Sequence, residues 1–160
     1  ARVAVAYSAG ADSTALLWAA QARWPGHLTA LHVHHGLQAA ADGFEATARA
    51  VCAGMGVPLS VAHVQAHAEP GQSPEDAARS RRYEALAALA RDAGVGVVLL
   101  AQHADDQAET VLLALSRGAG LPGLSAMAER FDRHGAAFGR PLLGLPSALV
   151  TVTLPLSSQA

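Results

Sequence analysis

Residues 2–23 read RVAVAYSAGADSTALLWAAQAR and join a short apolar strand, a loop of small residues and a helix in immediate succession. The valine and alanine residues of Arg2–Tyr7 predict a buried strand. A helix is predicted from about Asp12 to Arg23, and the Trp-Pro-Gly sequence that follows would end it. This order is typical of an α/β sheet, in which a loop at the end of a strand leads directly into a helix.

The rest of the chain repeats this alternation with short connections. A strong helix start stands at Ser73, which is followed by a proline and two acidic residues. The series predicts an α/β fold, a doubly wound parallel sheet with helices on both faces, and such sheets bind ligands at the carboxyl ends of their strands. Further strands are predicted at Leu28–His34, Pro58–Val64 and Val97–Ala101, and further helices at about 41–54, 74–93 and 104–116.

The composition fits one globular domain. Of the 160 residues, 51% are hydrophobic and 15% are charged, and no apolar run reaches the roughly 20 residues of a membrane span. We therefore expect a soluble cytoplasmic protein without membrane contact. The single cysteine, Cys52, excludes an internal disulfide, a redox pair and a cysteine-rich zinc site, and its apolar surroundings predict a buried side chain.

The charged residues narrow the chemistry further. All 11 basic residues are arginine, which excludes a Walker A loop, a protein-kinase ATP lysine and a Schiff-base centre. The net charge of −2 provides no broad cationic surface for nucleic acid. Any RNA contact must therefore come from local arginines or from a part of the protein outside this chain.

The loop after the first strand, SAGADS at residues 8–13, has the character of a phosphate-binding loop. Small residues let backbone amides approach an anion, and the following helix adds the positive end of its dipole. The hydroxyls of Ser8 and Ser13 can bond phosphate oxygens, and Asp12 suits a site where Mg²⁺ accompanies the phosphates. The alternative is an ordinary tight turn in which Asp12 or Ser13 caps the helix. The loop alone leaves both interpretations open.

Acidic residues follow the fourth predicted strand. Asp106 and Glu109 are i, i+3 neighbours, Asp105 and Glu109 are i, i+4 neighbours, and the predicted helix contains no basic residue to compensate them. Such a cluster suits a cation, either a metal ion or an ammonium group. The alternative is a solvated helix start, where acids interact favourably with the helix dipole.

Arginines stand where the third helix should face the protein. Arg79, Arg82, Tyr83 and Leu86 have the spacing of one helix face, and positive charge near a helix N-terminus opposes the dipole. Both arginines are therefore interpreted as anion ligands. Arg117 is either another anion ligand or an arginine that favours a helix C-terminus.

Three histidines, His32, His34 and His35, end the second predicted strand. Contact with a nucleotide base, or an ordinary polar strand end, fits them better than a metal site, because the aspartate spacing of binuclear hydrolases is missing. No metal-binding residue is predicted.

Six segments match one known pattern in the expected order. Together they resemble the N-type ATP pyrophosphatase (PP-loop) superfamily and, within it, the tRNA(Ile)-lysidine synthetases. The loop resembles Ser-Gly-Gly-x-Asp-Ser and is shared by several ATP pyrophosphatases, whereas HxxDDQxET followed by RGAG is far more specific. The segments are SAGADS at 8–13, HVHHGL at 32–37, AR and RY within 78–83, HADDQAETVLL at 103–113, RGAGLPGL at 117–124 and RPLL at 140–143.

The resemblance implies an enzyme that uses ATP and Mg²⁺ to adenylate the wobble cytidine of tRNA(Ile), after which pyrophosphate leaves and free lysine attacks the activated carbon. Arg82, with Arg79 and Arg117 as further candidates, would stabilise charge on the phosphates, and Asp12 would position them with Mg²⁺. The implied catalytic residues are Asp12, Arg82, Asp106 and Arg117; the ATP-binding residues are Ser8, Ala9, Gly10, Ala11, Asp12 and Ser13; the lysine-binding residues are Asp106 and Glu109.

The chain departs from the family pattern at two places. Ala9 stands where the family has glycine, which would strain the loop by about 1 kcal/mol or more if that position needs a positive φ. Residues 144–160 are uncharged where the family continues into a charged stretch and tRNA-binding domains. We expect a PP-loop domain over residues 1–143 and an atypical tail over 144–160, as in a truncated or frame-shifted copy.

Two alternatives to a lysidine synthetase remain. A non-catalytic ATP-binding fragment would agree with Ala9 and the altered tail. A sister tRNA sulfur-transferase would normally need paired catalytic cysteines, and the single Cys52 argues against it.

Overall fold

A computed structural model describes residues 2–35, 39–65, 69–101 and 130–140, and the elements below belong to these ranges. Helices and strands alternate as predicted up to β4, and a pair of short strands follows. In chain order the elements are β1 (Arg2–Ala6), α1 (Ala11–Arg23), β2 (Leu28–His35), α2 (Ala39–Met55), β3 (Leu59–Val64), α3 (Pro74–Asp92), β4 (Val95–Leu99), β5 (Arg130–Arg133) and β6 (Ala136–Gly139).

The six described strands form one sheet in the order β3-β2-β1-β4-β6-β5. All neighbouring pairs are parallel except β5 and β6, which are antiparallel. The predicted α/β fold with a doubly wound parallel sheet is confirmed, and the antiparallel β5–β6 pair adds an edge that the sequence did not predict. The chain moves outward from β1 to β3 and then returns to the other side of β1 for β4. This reversal beside β1 is the point where such sheets bind ligands.

Alternate residues of the strands pack against helices on opposite faces of the sheet, as predicted. On one face, Val3 and Val5 of β1 join a core cluster with Leu17 of α1 and Cys52 of α2. On the other face, Ala4 joins a cluster built on α3 and β6. Burial raises the pKa of the Cys52 thiol to about 11, so this cysteine is an inert core residue, as expected.

The hairpin of β5 and β6 was not predicted. Its two-residue turn, His134-Gly135, has φ values of 52° and 78°. Two positive φ values are typical of the tight hairpin turn that matches the right-handed twist of the flanking strands. Arg91 of α3 donates a hydrogen bond of 2.8 Å to the His134 carbonyl. Phe138 is fully buried and pairs in register with Val98 of β4. The hairpin therefore extends the sheet past β4 and covers part of α3.

The described helices α1, α2 and α3 begin within two residues of their predicted starts. Ser73 caps α3 and accepts a hydrogen bond of 3.2 Å from the Asp76 amide, as its sequence predicted. β4 begins two residues earlier than expected, because Gly94, at φ 67°, ends the helical segment and the chain enters the strand at once.

Among the described residues, no helix is both long enough and apolar enough to cross a membrane.

Candidate functional site

A cavity of about 600 Å³ opens at the carboxyl ends of β1, β2 and β4. The loop between β1 and α1 forms one side, and α3 approaches from the opposite face of the sheet. The cavity has the size of a small-molecule site and lies at the predicted edge. The described residues that matter most to its lining are Ser8, Gly10, Asp12, His32, His35, Phe44, Arg82 and Tyr83.

The loop at residues 8–13 is held by its own hydroxyl groups. The Ser8 and Ser13 hydroxyls lie 3.0 Å apart, and the Ser13 Oγ also accepts a 3.2 Å hydrogen bond from the Ser8 amide. Ser13 is 4% exposed, and its Oγ lies 3.3 Å from the Gly10 carbonyl, to which it donates. In this structure Ser13 shapes the loop, and its predicted contact with phosphate stays a prediction.

The start of α1 tests the alternative in which a side chain of the loop caps the helix. The residue that precedes the first turn of α1 is Gly10, and no side chain caps this end of the helix. The alternative in which Asp12 or Ser13 serves as the helix cap is therefore wrong. The first amides of a helix have no acceptor within the helix, and here that end borders the cavity through Gly10, Ala11 and Asp12. This arrangement suits an anion.

Ala9 has a φ of 69°, so the position that would favour glycine carries a methyl group in the left-handed region. The strain expected from the sequence is present. The Ala9 methyl packs partly against the core cluster of α1 and α2, which recovers some of the cost.

Replacing Ala9 with glycine is expected to raise the free energy of unfolding by roughly 0.5–1 kcal/mol. The left-handed conformation costs a non-glycine residue about 1–2 kcal/mol, and the lost methyl contact and the greater freedom of glycine in the unfolded chain offset part of the gain. Urea unfolding measures the change. Ala50→Gly, on the exposed side of α2, is the matched control and should lower the same quantity by roughly 0.5–1 kcal/mol. A loss of stability in Ala9→Gly would contradict the assignment of strain.

Arg82 lines the cavity, whereas Arg79 is not among the described lining residues. The guanidinium carbon of Arg82 lies 5.4 Å from the centre of the Tyr83 ring, and that of Arg79 lies 5.9 Å from it. The guanidinium carbon of Arg133 on β5 lies 4.5 Å from the same ring centre. Tyr83 is fully buried and anchors α3 to the core directly beside Arg82. Of the two predicted anion ligands on α3, the structure brings Arg82 to the cavity.

The histidines at the end of β2 have three different environments. The His32 Nδ1 lies 2.8 Å from the Tyr7 carbonyl, so this nitrogen carries the proton and donates. Its Nε2 is buried and has no partner among the described residues. His34 bonds Asp42 of α2 at 2.7 Å. His35 is half-buried beside Arg82 at the cavity, so it faces the same space as the predicted phosphate ligands.

Acidification is expected to lower the free energy of unfolding through His35. Burial, with the charges of Arg82, His32 and His34, lowers the pKa of His35 below its ordinary value of 6.5. The unfolded chain then binds the proton more readily, so the contribution of His35 to stability is constant above pH 6.5 and falls as the pH drops below it. Urea unfolding between about pH 8 and pH 5 should show a smaller decline in His35→Gln than in the unmodified chain. Equal declines would contradict this assignment.

Several residues at the site were not identified from the sequence. Phe44 of α2 is 52% exposed and lines the cavity, and the Tyr7 hydroxyl bonds Thr14 at 3.0 Å under the loop. An aromatic residue on a polar helix face is the one signal that could have indicated Phe44. The predicted residues Asp106, Glu109 and Arg117 lie outside the described ranges, and so does the tail 144–160.

Comparisons with known proteins agree with the resemblance. A family model described as the PP-loop domain matches residues 1–158. A tRNA(Ile)-lysidine synthase of Polaromonas naphthalenivorans is 62% identical over 146 residues, which cover 91% of this chain and 44% of that protein. The corresponding synthase of Bordetella bronchiseptica is 51% identical over 152 residues, covering 94% of this chain and 44% of the relative. The chain thus spans less than half the length of these relatives.

A U34-tRNA thiolase of Methanococcus maripaludis has a similar structure, with a TM-score of 0.77 and 18% identity over 95% of this chain and 54% of its own. At that identity the likeness concerns the fold alone. The family match extends past the boundary predicted at residue 143, and that boundary stays a prediction.

Proposed function

The chain belongs to the PP-loop domain family, and from this premise we propose that it binds ATP at the cavity and serves as the nucleotide-binding part of a tRNA(Ile)-lysidine synthase. In that reaction ATP adenylates the wobble cytidine of tRNA(Ile) with release of pyrophosphate, and free lysine displaces AMP. We place the reaction in the cytoplasm. The single observation that supports the proposal most is the approach of α1 and Arg82 to one cavity from opposite faces of the sheet.

The proposed roles follow from charge and position. The N-terminal amides of α1 would hold the triphosphate, and Arg82 would stabilise the negative charge that grows on pyrophosphate as the bond breaks. Asp12 borders the same cavity and offers hard carboxylate oxygens, so it fits a role in holding Mg²⁺ beside the phosphates. Mg²⁺ when bound would neutralise part of the phosphate charge.

The sequence supplies the remaining roles in this proposal. Asp106 and Glu109 would bind the ammonium group of lysine, and Arg117 would be a further phosphate ligand. The tRNA-binding contacts would come mainly from segments such as those that the longer relatives have outside the matched region, because the net charge of this chain is −2 and its relatives are more than twice as long.

Calorimetric titration with ATP and Mg²⁺ tests the first step. Saturable binding is expected, and absence of binding would contradict both the enzyme and the simpler nucleotide-binding alternative. A pyrophosphate-release assay with tRNA(Ile) transcript and lysine then separates the two. Release that requires both substrates supports the ligase, and ATP binding without release supports the non-catalytic fragment.

Replacing Asp106 with alanine is expected to raise the lysine concentration needed for half-maximal pyrophosphate release or product formation about tenfold or more, since a charge-assisted hydrogen bond to the ammonium group would be lost. The apparent affinity for ATP should stay within about twofold. The measurement is a lysine titration at saturating ATP and tRNA. Unchanged lysine dependence would remove Asp106 from the substrate site.

A further inference from the structure

A second cluster of chemically active side chains lies beside the cavity, on the edge of the sheet formed by β2 and β3. It combines His34 of β2, Glu45 of α2 and His63 of β3. One donor atom from each residue lies within 4.8 Å of the others. The His34 and His63 rings are 4.7 Å apart, centre to centre, at an angle of 44°. Three separate elements therefore direct imidazole and carboxylate groups toward one point.

The two carboxylate oxygens of Glu45 have different partners. Its Oε2 accepts a hydrogen bond of 3.1 Å from Arg49, which keeps the group ionised. Its Oε1 is buried and lies 2.7 Å from His63 Nε2, but without the alignment that a hydrogen bond requires. A buried carboxylate oxygen without a hydrogen-bond partner costs free energy. A metal ion between Glu45 Oε1 and His63 Nε2 would bind a lone pair of each atom.

Water would complete the coordination of an ion held by these three donors. Asp42 Oδ1, at the N-terminal end of α2, bonds His34 Nε2 at 2.7 Å and so orients the His34 ring. Two histidines and one carboxylate are a donor set that Zn²⁺ accepts in tetrahedral geometry. Mg²⁺ prefers oxygen ligands and near-ideal octahedral geometry, so it is poorly suited to an imidazole-rich site.

We propose that His34, Glu45 and His63 bind Zn²⁺, with Asp42 positioning His34, and that the ion fastens α2 to the β2–β3 edge. This proposal does not depend on the function proposed for the cavity. His34 also lines the cavity, so the zinc ion would fix one wall of it. The ligands are 11 to 29 residues apart on three elements, and only folding brings them together.

Titration of the metal-free chain with ZnCl₂, followed by calorimetry in the presence of excess Mg²⁺, tests this site. One saturable site is expected in the unmodified chain. His63→Ala and Glu45→Gln should each weaken it at least tenfold. His27→Ala removes an exposed histidine just before β2, at the opposite end of this strand from His34, and should bind Zn²⁺ like the unmodified chain. Circular dichroism without metal establishes that each variant is folded.

Co²⁺ provides an independent measurement, because a tetrahedral site gives the ion a strong visible absorption that hexahydrated Co²⁺ lacks. The absorption is expected in the unmodified chain and in His27→Ala, and it should be lost in Glu45→Gln. Absence of saturable Zn²⁺ binding, or an affinity in His63→Ala and Glu45→Gln equal to that of the unmodified chain, would overturn the proposal. Retention of binding in excess Mg²⁺ supports the assigned ligand chemistry, and displacement by Mg²⁺ contradicts it.

Discussion

Replacing Arg82 with alanine is expected to weaken binding of ATP with Mg²⁺ about ten- to hundredfold. Hydrogen bonds between a guanidinium group and phosphate are charge-assisted, and losing one costs about 1.5–3 kcal/mol. Arg82 lies at the cavity beside His35. Its backbone is held in place because the next residue, Tyr83, is fully buried. Calorimetry measures the dissociation constant. In the pyrophosphate-release assay, an additional loss of rate would indicate that Arg82 also stabilises the transition state.

The neighbouring Arg81 provides the control. It is exposed on the other side of α3, pairs with Glu84 at 3.3 Å and is absent from the described lining of the cavity. Arg81→Ala removes the same charge from the chain at almost the same position, so it should alter ATP affinity by less than about twofold if only the general electrostatic field changes. Equal losses in the two variants would assign the effect to net charge and would contradict a direct phosphate contact.

The sequence was sufficient for the parts of the fold that depend on local pattern. Short valine-rich runs and well-marked helix starts, such as Ser73, predicted the first four strands and the helices between them. Where one strand is followed at once by a helix, the position of the ligand edge follows from topology, so the loop at residues 8–13 could be assigned before its geometry was known. Even the strain at Ala9 was expected, because a positive φ in the left-handed region is unfavourable for any residue that has a Cβ atom.

The hairpin of β5 and β6 could not be predicted in the same way. Its strands have four residues each, and β5 reads RFDR, which has a single apolar side chain. Its stability comes from Phe131 and Phe138, whose rings stack 5.4 Å apart against Tyr83 of α3. These contacts join residues about 50 positions apart and leave no periodic signal in the sequence. Tertiary packing, and not local propensity, decides this element.

The same distinction applies to the site. Arg82 was identified because its position on a helix was unusual, and that is a local observation. His34, Glu45 and His63 are each unremarkable in their own segments, and their grouping depends on the register of β2 against β3, in which His34 pairs with His63. Register between parallel strands is fixed by packing on both faces, so no spacing rule within one segment could have indicated this cluster.

Replacing Phe138 with alanine is expected to lower the free energy of unfolding by about 3–5 kcal/mol, which is a large part of the total for a domain of this size. Phe138 is fully buried, and its ring contacts those of Phe131 and Tyr83. The neighbouring Gly139 carbonyl accepts a hydrogen bond of 2.7 Å from the amide of Leu100, which directly follows β4. The substitution would leave a cavity between the sheet and α3 that the rigid neighbours could fill only in part.

Urea unfolding followed by circular dichroism gives the size of this effect, with Phe44→Ala as the control for the same chemical change on a half-exposed side chain. Phe44 is 52% exposed, so its loss should cost less than about 1 kcal/mol. A similar small loss in both variants would mean that the hairpin adds little to the core. A large loss confined to Phe138→Ala would establish that the two short strands, which have almost no signal in the sequence, hold α3 and its cavity-facing Arg82 against the sheet.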